Sequence, residues 1–268
     1  MAEKKVENGQ QFDVRTALFL AAVCGQSRIQ YSNPDGSFLI PAGYRLAGSF
    51  KAQSYENKPE YFGFVIESDH AVVLTFRGSY APTDWVSDFI SQQVPFKPVK
   101  AACHSHKGFT DIYMTCQQEV RSILNTTDPD KTLFITGHSL GGALGTLAAL
   151  DIGSNTDRSP IVYTYGSPRV GDVKFARIYN RAIKQHWRVQ NEYDIVPHLP
   201  PLVYRHTRPK KIFYYMHVKG EVKRSFRMGS VSNNHLISNY FVDLSKEDPA
   251  YAAILCEGPP GWCPTLPS

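Results

Sequence analysis

The sequence predicts an α/β fold in which a mostly parallel central sheet is flanked by helices. Three observations carry this expectation. Apolar, β-branched runs alternate with helical patterns, so strands and crossover helices follow one another along the chain. The length of 268 residues suits one large α/β unit, and a hydrophobic share of 42% supplies its core while excluding global disorder. One apolar strand also runs through a sharp Gly-containing turn straight into a small-residue helix, a junction that layered α/β proteins use for functional groups.

At the N-terminal end, Asp13 followed by Val14, Leu18, Ala21 and Ala22 reads as an N-capped amphipathic helix. Its apolar run, Ala17 to Cys24, is far shorter than the roughly 20 residues that cross a bilayer, so no transmembrane segment is expected. Glu3, Glu7 and Asp13 stand where a basic leader region would lie. No cleavable signal is therefore expected, which places the chain in the cytoplasm by default and leaves leaderless export open. Strands are predicted at Tyr61 to Glu67, Ala71 to Phe76, Thr132 to Thr136, Ile161 to Tyr165, Trp187 to Val189 and Ile212 to Val218. Helices are predicted at Thr110 to Leu124, Leu140 to Leu150 and Val173 to Lys184, the last with Asp172 as N-cap. Residues 257–268, EGPPGWCPTLPS, hold too much Pro and Gly to continue any element. With no linker and no repeat, one domain over residues 1–268 is expected.

The chemistry is concentrated in residues 132–150, TLFITGHSLGGALGTLAAL. A bare G-x-S-x-G pattern arises by chance about 0.1 times in a chain of this length. Here Gly137-His138-Ser139-Leu140-Gly141 follows a buried-type strand and opens a Gly/Ala-rich helix, which is the context of a nucleophile elbow. The competing reading is a Gly-rich turn with an idle serine. A serine hydroxyl needs a histidine to take its proton and a carboxylate to orient that histidine. On a fold of this kind they follow in the order Ser, Asp, His. Asp151 ends the elbow helix, Asp157 lies in a polar turn and Asp172 is engaged as a cap, which leaves Asp194 in NEYDIVPHLP, directly after a strand. His198, His206, His217 and His235 all follow Asp194, and order and composition alone leave the choice among them open. His235, in the polar loop SVSNNHLISNYF, is the best placed to project toward the sheet.

The segments FRGSYAPTDWVSD, GHSLGGALGTLAA, YGSPRVGD, NEYDIVPHLP and NNHLISNYF, in this order, resemble the fungal-type class 3 lipase family over roughly residues 12–245. GHSLGGA and GSPRVG are the most specific matches. The resemblance implies an α/β-hydrolase fold and cleavage of acylglycerols without a cofactor. It implies Ser139 as nucleophile, Asp194 as the acid and His235 as the base. It also implies an oxyanion hole from the backbone N–H groups of Ser79 and Leu140, with Asp88 steadying the serine from behind. A short lid at Tyr80 to Asp88 would place Tyr80 and Trp85 against substrate. Pro82 departs from the family's lid pattern and bears on its length. The implied partner is an acylglycerol or other lipid ester met at a lipid–water interface. A phospholipase A1, a feruloyl-type esterase and a non-enzymatic lipid-surface binding module are the competing functions.

Other features carry less. The net charge of +5 demands no nucleic-acid partner, and none is expected. Between Arg205 and Arg227 eight basic residues face one acid, Glu221, which reads as a solvated hairpin face or as attraction to anionic lipid or phosphate. Cys103, His104, His106 and Cys116 lack the spacing of a zinc site, so no metal is expected. Five cysteines are too few for a disulfide scaffold and leave at least one thiol free, while the turn between Cys256 and Cys263 allows a bridge.

Overall fold

A computed structural model describes residues 11–54, 58–79, 92–207 and 210–264. Its centre is a seven-stranded sheet built from β1 (Arg45–Gln53), β2 (Pro59–Glu67), β3 (Ala71–Phe76), β6 (Thr132–His138), β7 (Ile161–Tyr165), β8 (Gln185–Asn191) and β11 (Glu221–Arg224), in that spatial order. The first two pairings are antiparallel, and from β3 to β11 every pairing is parallel. Two short ribbons lie outside it, one of β4 (Gln93–Pro95) with β5 (His104–His106), the other of β9 (Val203–Thr207) with β10 (Lys210–Tyr214).

Helices cover both faces, as the parallel strands require. On one face α2 (Lys107–Asn125), α3 (Leu140–Asn155) and α4 (Val173–Ala182) pack with Val72, Leu74, Phe76, Ile135 and Val162. On the other, α1 (Val14–Ser32) and α6 (Ile237–Ser245) pack with Val73, Tyr163, Tyr165 and Trp187. The alternation of Val72, Val73 and Leu74 between the two cores is the period of two expected of a strand. Capping follows the sequence: Asp13 accepts from the Thr16 N–H and Asp172 accepts from the Phe175 N–H. The apolar run of the first helix is buried between the sheet and α6, so it is part of the fold.

Three elements differ from the expectation. The run Ile212 to Val218 does not join the main sheet; Lys210–Tyr214 pairs only with β9, and the edge strand beside β8 is Glu221–Arg224. The apolar run contains two kinds of residue: Phe213 and Tyr215 are buried, whereas Ile212, Tyr214 and Met216 face outward. β1 was not predicted, because register shifts between Leu46 and Gly48 and between Phe50 and Lys51 break its alternation. The last helix, α7 (Pro249–Cys256), ends in a turn closed by a Cys256–Cys263 disulfide. There Trp262 is buried, and the Gln26 amide of α1 donates to the carbonyls of Gly261 and Trp262. No helix among the described residues is long and apolar enough to cross a membrane.

Candidate active site

β6 delivers Ser139 to the carboxyl edge of the sheet, and α3 starts immediately after it. The turn is strained: Ser139 has φ 57° and ψ −125°, the one positive-φ residue other than glycine among those described. Both glycines of the pattern are steric requirements. A Cβ at Gly137 would stand 2.2 Å from the Gly141 carbonyl oxygen, and one at Gly141 would stand 2.1 Å from that of Phe76. The Leu140 N–H opens α3, where no intrahelical partner exists, and the positive end of the helix dipole adds to its pull on a negative oxygen.

Asp194 lies in the turn after β8, and His235 ends the short helix α5 (Val231–His235) immediately before α6. Asp194 is fully buried. Its Oδ2 lies 2.6 Å from His235 Nδ1 and accepts a second bond from the Tyr240 hydroxyl at 2.7 Å, while its Oδ1 accepts from the Val196 N–H at 2.9 Å. In a neutral imidazole, an Nδ1–H donating to the carboxylate leaves the lone pair on Nε2. That nitrogen is buried without a hydrogen-bond partner, and so is Ser139 Oγ. Buried polar atoms are nearly always satisfied, so these two atoms of complementary type, one a potential donor and one a potential acceptor, stand out as unsatisfied.

Neighbouring side chains hold this arrangement. His138 Nε2 lies 2.6 Å from the backbone carbonyl of His235, so it must be the donor, and the two rings lie 4.5 Å apart. Burial, followed by the nearby His235, holds His138 well below the ordinary imidazole range, which keeps it neutral and in the tautomer that donates. The residue between Gly137 and Ser139 therefore ties the Ser139 turn to His235. Tyr240 also accepts from the Asn191 N–H at 3.1 Å. Asn191 Nδ2 donates to the Asn234 carbonyl, and Asn234 Nδ2 donates to the Tyr193 carbonyl, closing a bracket between the acid loop and the base loop. Gly166, at φ 53°, lies under the pair: a Cβ there would come within 2.7 Å of Asp194 Oδ2.

Gly78 and Ser79 follow β3 and lie against the elbow, since a Cβ on Gly78 would stand 3.0 Å from the His138 carbonyl oxygen and 3.4 Å from Ser139 Cβ. Arg77 fixes this peptide. Its guanidinium lies between the rings of Tyr31 and Phe62 and donates to Glu60 Oε2 at 2.6 Å, to the Tyr61 carbonyl at 2.9 Å and to the Gly78 carbonyl at 2.9 Å. In a trans peptide the C=O and the following N–H point in opposite directions, so anchoring the Gly78 oxygen aims the Ser79 N–H away from Arg77.

The structure thus brings Asp194 and His235 into direct contact, and sets Ser139, Leu140 and Ser79 around the same turn. Tyr80, Trp85 and Asp88 lie outside the described residues, as does the whole expected lid. His198 is exposed, and His217 Nε2 is taken by the Pro197 carbonyl at 2.7 Å, so neither is oriented by Asp194. The four residues weighed as zinc ligands have other partners: His104 faces Asp172, His106 caps α2, Cys103 is buried in the core and Cys116 bonds to carbonyls of its own helix. His138, Tyr240, Asn191, Asn234 and Arg77 were missed by sequence reading. Only Arg77 had a local signal, its place directly before Gly78 and Ser79.

Residues 73–204 match the family model for lipase, class 3. Over this segment, just under half of its length, the chain is similar to the class 3 lipase family. That match includes Ser79, Ser139, Leu140 and Asp194 and stops before His235. The chain is similar to the lipase of Rhizomucor miehei, 37% identical over 145 residues, covering 52% of this chain and 40% of that protein. It is also similar to secreted mono- and diacylglycerol lipase 1 of Fusarium solani, 36% identical over 157 residues, covering 55% of this chain and 46% of that protein. The chain thus spans less than half the length of these curated relatives. Among solved structures, the lipase of Rhizopus microsporus var. chinensis superposes with a TM-score of 0.64 at 26% identity, over 78% of this chain and 74% of that one. The mixed, mostly parallel sheet flanked by helices is the fold expected from the sequence.

Proposed function

We propose that this chain hydrolyses carboxylic esters of lipids, with acylglycerols as the substrate class and a lipid–water interface as the place of encounter. One observation carries the reading: a fully buried Asp194 orients His235, whose unpartnered Nε2 and the unpartnered Ser139 Oγ are the two halves of a proton transfer. Ser139 Oγ attacks the ester carbonyl carbon while His235 Nε2 takes the hydroxyl proton, and the C=O electron pair moves onto oxygen. The Leu140 and Ser79 N–H groups receive that oxyanion. Collapse expels the alkoxide, which takes the proton from His235 and leaves as the alcohol. Water then repeats the sequence on the acyl-enzyme, releasing the fatty acid and restoring Ser139. Acylglycerol as the class is supported by the relatives, one of which is a mono- and diacylglycerol lipase.

The test is labelling by a fluorophosphonate together with turnover of triolein emulsion, phosphatidylcholine and methyl ferulate. Wild type should label at Ser139 and turn over triolein fastest. Ser139→Ala should lose labelling and several orders of magnitude of turnover, because only oxyanion and binding contributions of about 10³ to 10⁴ over water survive such a loss. Labelling at another serine would overturn the assignment, and faster turnover of phosphatidylcholine or methyl ferulate would move the substrate class.

A further inference from the structure

The β9–β10 ribbon presents a surface that the catalytic reading does not use. In its register Tyr214 sits opposite Val203, Ile212 opposite Arg205 and Lys210 opposite Thr207. Opposed residues share a face, so one face of the ribbon carries Val203, Arg205, Lys210, Ile212 and Tyr214. The other face carries the opposed pair Phe213 and Tyr204, and Phe213 is buried against the body. On the outer face Ile212 is 49% exposed and Tyr214 54%, with Leu202 at 58% on the approach to β9. Arg205 and Lys210 are exposed beside them, and Lys211, on the other face over the Phe213 ring, is exposed as well. The sequence holds no acidic residue from Ile195 to Gly220, so nothing on the ribbon offsets its cations.

The ribbon is also fixed in place. The Tyr215 N–H donates to the Leu202 carbonyl, Gln93 Nε2 donates to the Tyr214 carbonyl, and the Met216 N–H donates to the Gly171 carbonyl. Most of the large apolar side chains left exposed among the described residues lie between residues 193 and 231, that is, between the acid and the base. Tyr193 and Ile195, the sequence neighbours of Asp194, are exposed as well.

We infer that this ribbon docks the enzyme on anionic lipid surfaces, with Ile212, Tyr214, Val203 and Leu202 entering the headgroup boundary while Arg205 and Lys210 meet lipid phosphates. An apolar strip with cations set along it is the arrangement that lies in a membrane interface, where burial and attraction to anionic headgroups act together. A second copy of the chain fits less well, because face-to-face ribbons would oppose cation to cation. The inference rests on the proposed lipid-ester activity for its purpose, and its test is separate from that activity.

The full chain carrying Ser139→Ala, which leaves vesicles intact, is floated with phosphatidylcholine vesicles containing or lacking phosphatidylglycerol. Binding should be tighter with phosphatidylglycerol. Each cation near an anionic surface contributes about fivefold, so Arg205→Gln with Lys210→Gln should weaken partition about 25-fold on anionic vesicles and little on neutral ones. Ile212→Ser with Tyr214→Ser should weaken it on both. The same pairs of changes in the Ser139 enzyme should leave hydrolysis of a dissolved short-chain ester unchanged, which shows that they fold. Equal binding to both vesicle types, wild-type binding by either double variant, preferential capture by DNA over vesicles, or a dimer in sedimentation that Tyr214→Ser abolishes would each overturn the inference. A chain that docks in this way but hydrolyses no ester would overturn the proposed activity and leave the docking surface standing.

Discussion

Replacing Gly166 by alanine tests whether the Asp194–His235 pair is held as tightly as its geometry indicates. The new methyl carbon would stand 2.7 Å from Asp194 Oδ2 and 3.0 Å from His235 Cε1 and Nδ1. Carbon contacts settle near about 3.5 Å, so the carboxylate and the imidazole must each retreat by roughly half an ångström or more. Neither has room, since Asp194 is also bonded to Tyr240 and to the Val196 N–H. A misplacement of about 1 Å in a catalytic constellation costs around 10²-fold, so kcat on a dissolved p-nitrophenyl ester should fall about 10- to 100-fold with KM little changed. The left-handed backbone at φ 53° adds about 1–2 kcal/mol of instability for any alanine. Gly43→Ala is the control: Gly43 has φ 80° with nothing within 4 Å of its Cβ position, so it carries the backbone cost without the contact. Kinetics and urea unfolding of both variants separate the two effects. If Gly166→Ala keeps a kcat within about twofold of Gly43→Ala, the reasoning from the contact fails.

Three further outcomes follow from the same geometry. Arg77→Met frees the Gly78 carbonyl and with it the aim of the Ser79 N–H, so kcat should fall toward the roughly 10²- to 10³-fold of a lost oxyanion donor while KM changes little; a drop in KM-derived binding alone would contradict this. Tyr240→Phe removes a bond to a buried carboxylate and strands the Asn191 N–H, and should cost about 1–3 kcal/mol in urea unfolding. Burial holds His138, His186 and His217 well below the ordinary imidazole range and His106 down to about 3. Unfolded, each binds a proton near pH 6.5, so their contribution is complete above that pH. It is lost as the pH falls, at up to about 1.4 kcal/mol per pH unit for each histidine until its folded pKa is reached. Urea midpoints should therefore drop between about pH 7.5 and about pH 5, and a rise would contradict the assignment of these rings as neutral.

What the sequence shows clearly are features whose cause is local. The elbow is legible because strand, turn and helix requirements fall within residues 132–150, and the caps Asp13 and Asp172 because a capping side chain serves its own next turn. Asp194 is legible by elimination and by its place after a strand. The ribbon was misread because Ile212 to Val218 mixes one buried and one exposed face in a run that composition alone scores as apolar throughout. The true edge strand, Glu221–Arg224, holds one apolar residue and gives no run at all. His138 and Tyr240 escape notice for a different reason. Their meaning lies in a carbonyl 97 residues away and a carboxylate 46 residues away, and no pattern in one chain reports such pairings.

The bracket formed by Asn191 and Asn234 bears on what the intervening chain is free to become. It pins the two ends of the stretch that separates the acid from the base, and Tyr240 pins the same strand end from behind. For the tip of the ribbon between β9 and β10, whose two strands are already paired, doubling a flexible connection costs only about 0.6 kcal/mol in closure entropy. Within the stretch from Ile195 to Asn233, Val196 and the sheet strand Glu221–Arg224 are tied to the body, whereas the outward-facing residues of the β9–β10 ribbon can change without touching the Asp194–His235 contact. The outward face of the ribbon is thus separate from the bonds that hold Asp194 and His235. Grafting a foreign hairpin in place of Val203 to Tyr214 would then redirect where the enzyme works while its intrinsic rate on a dissolved ester stays as it was.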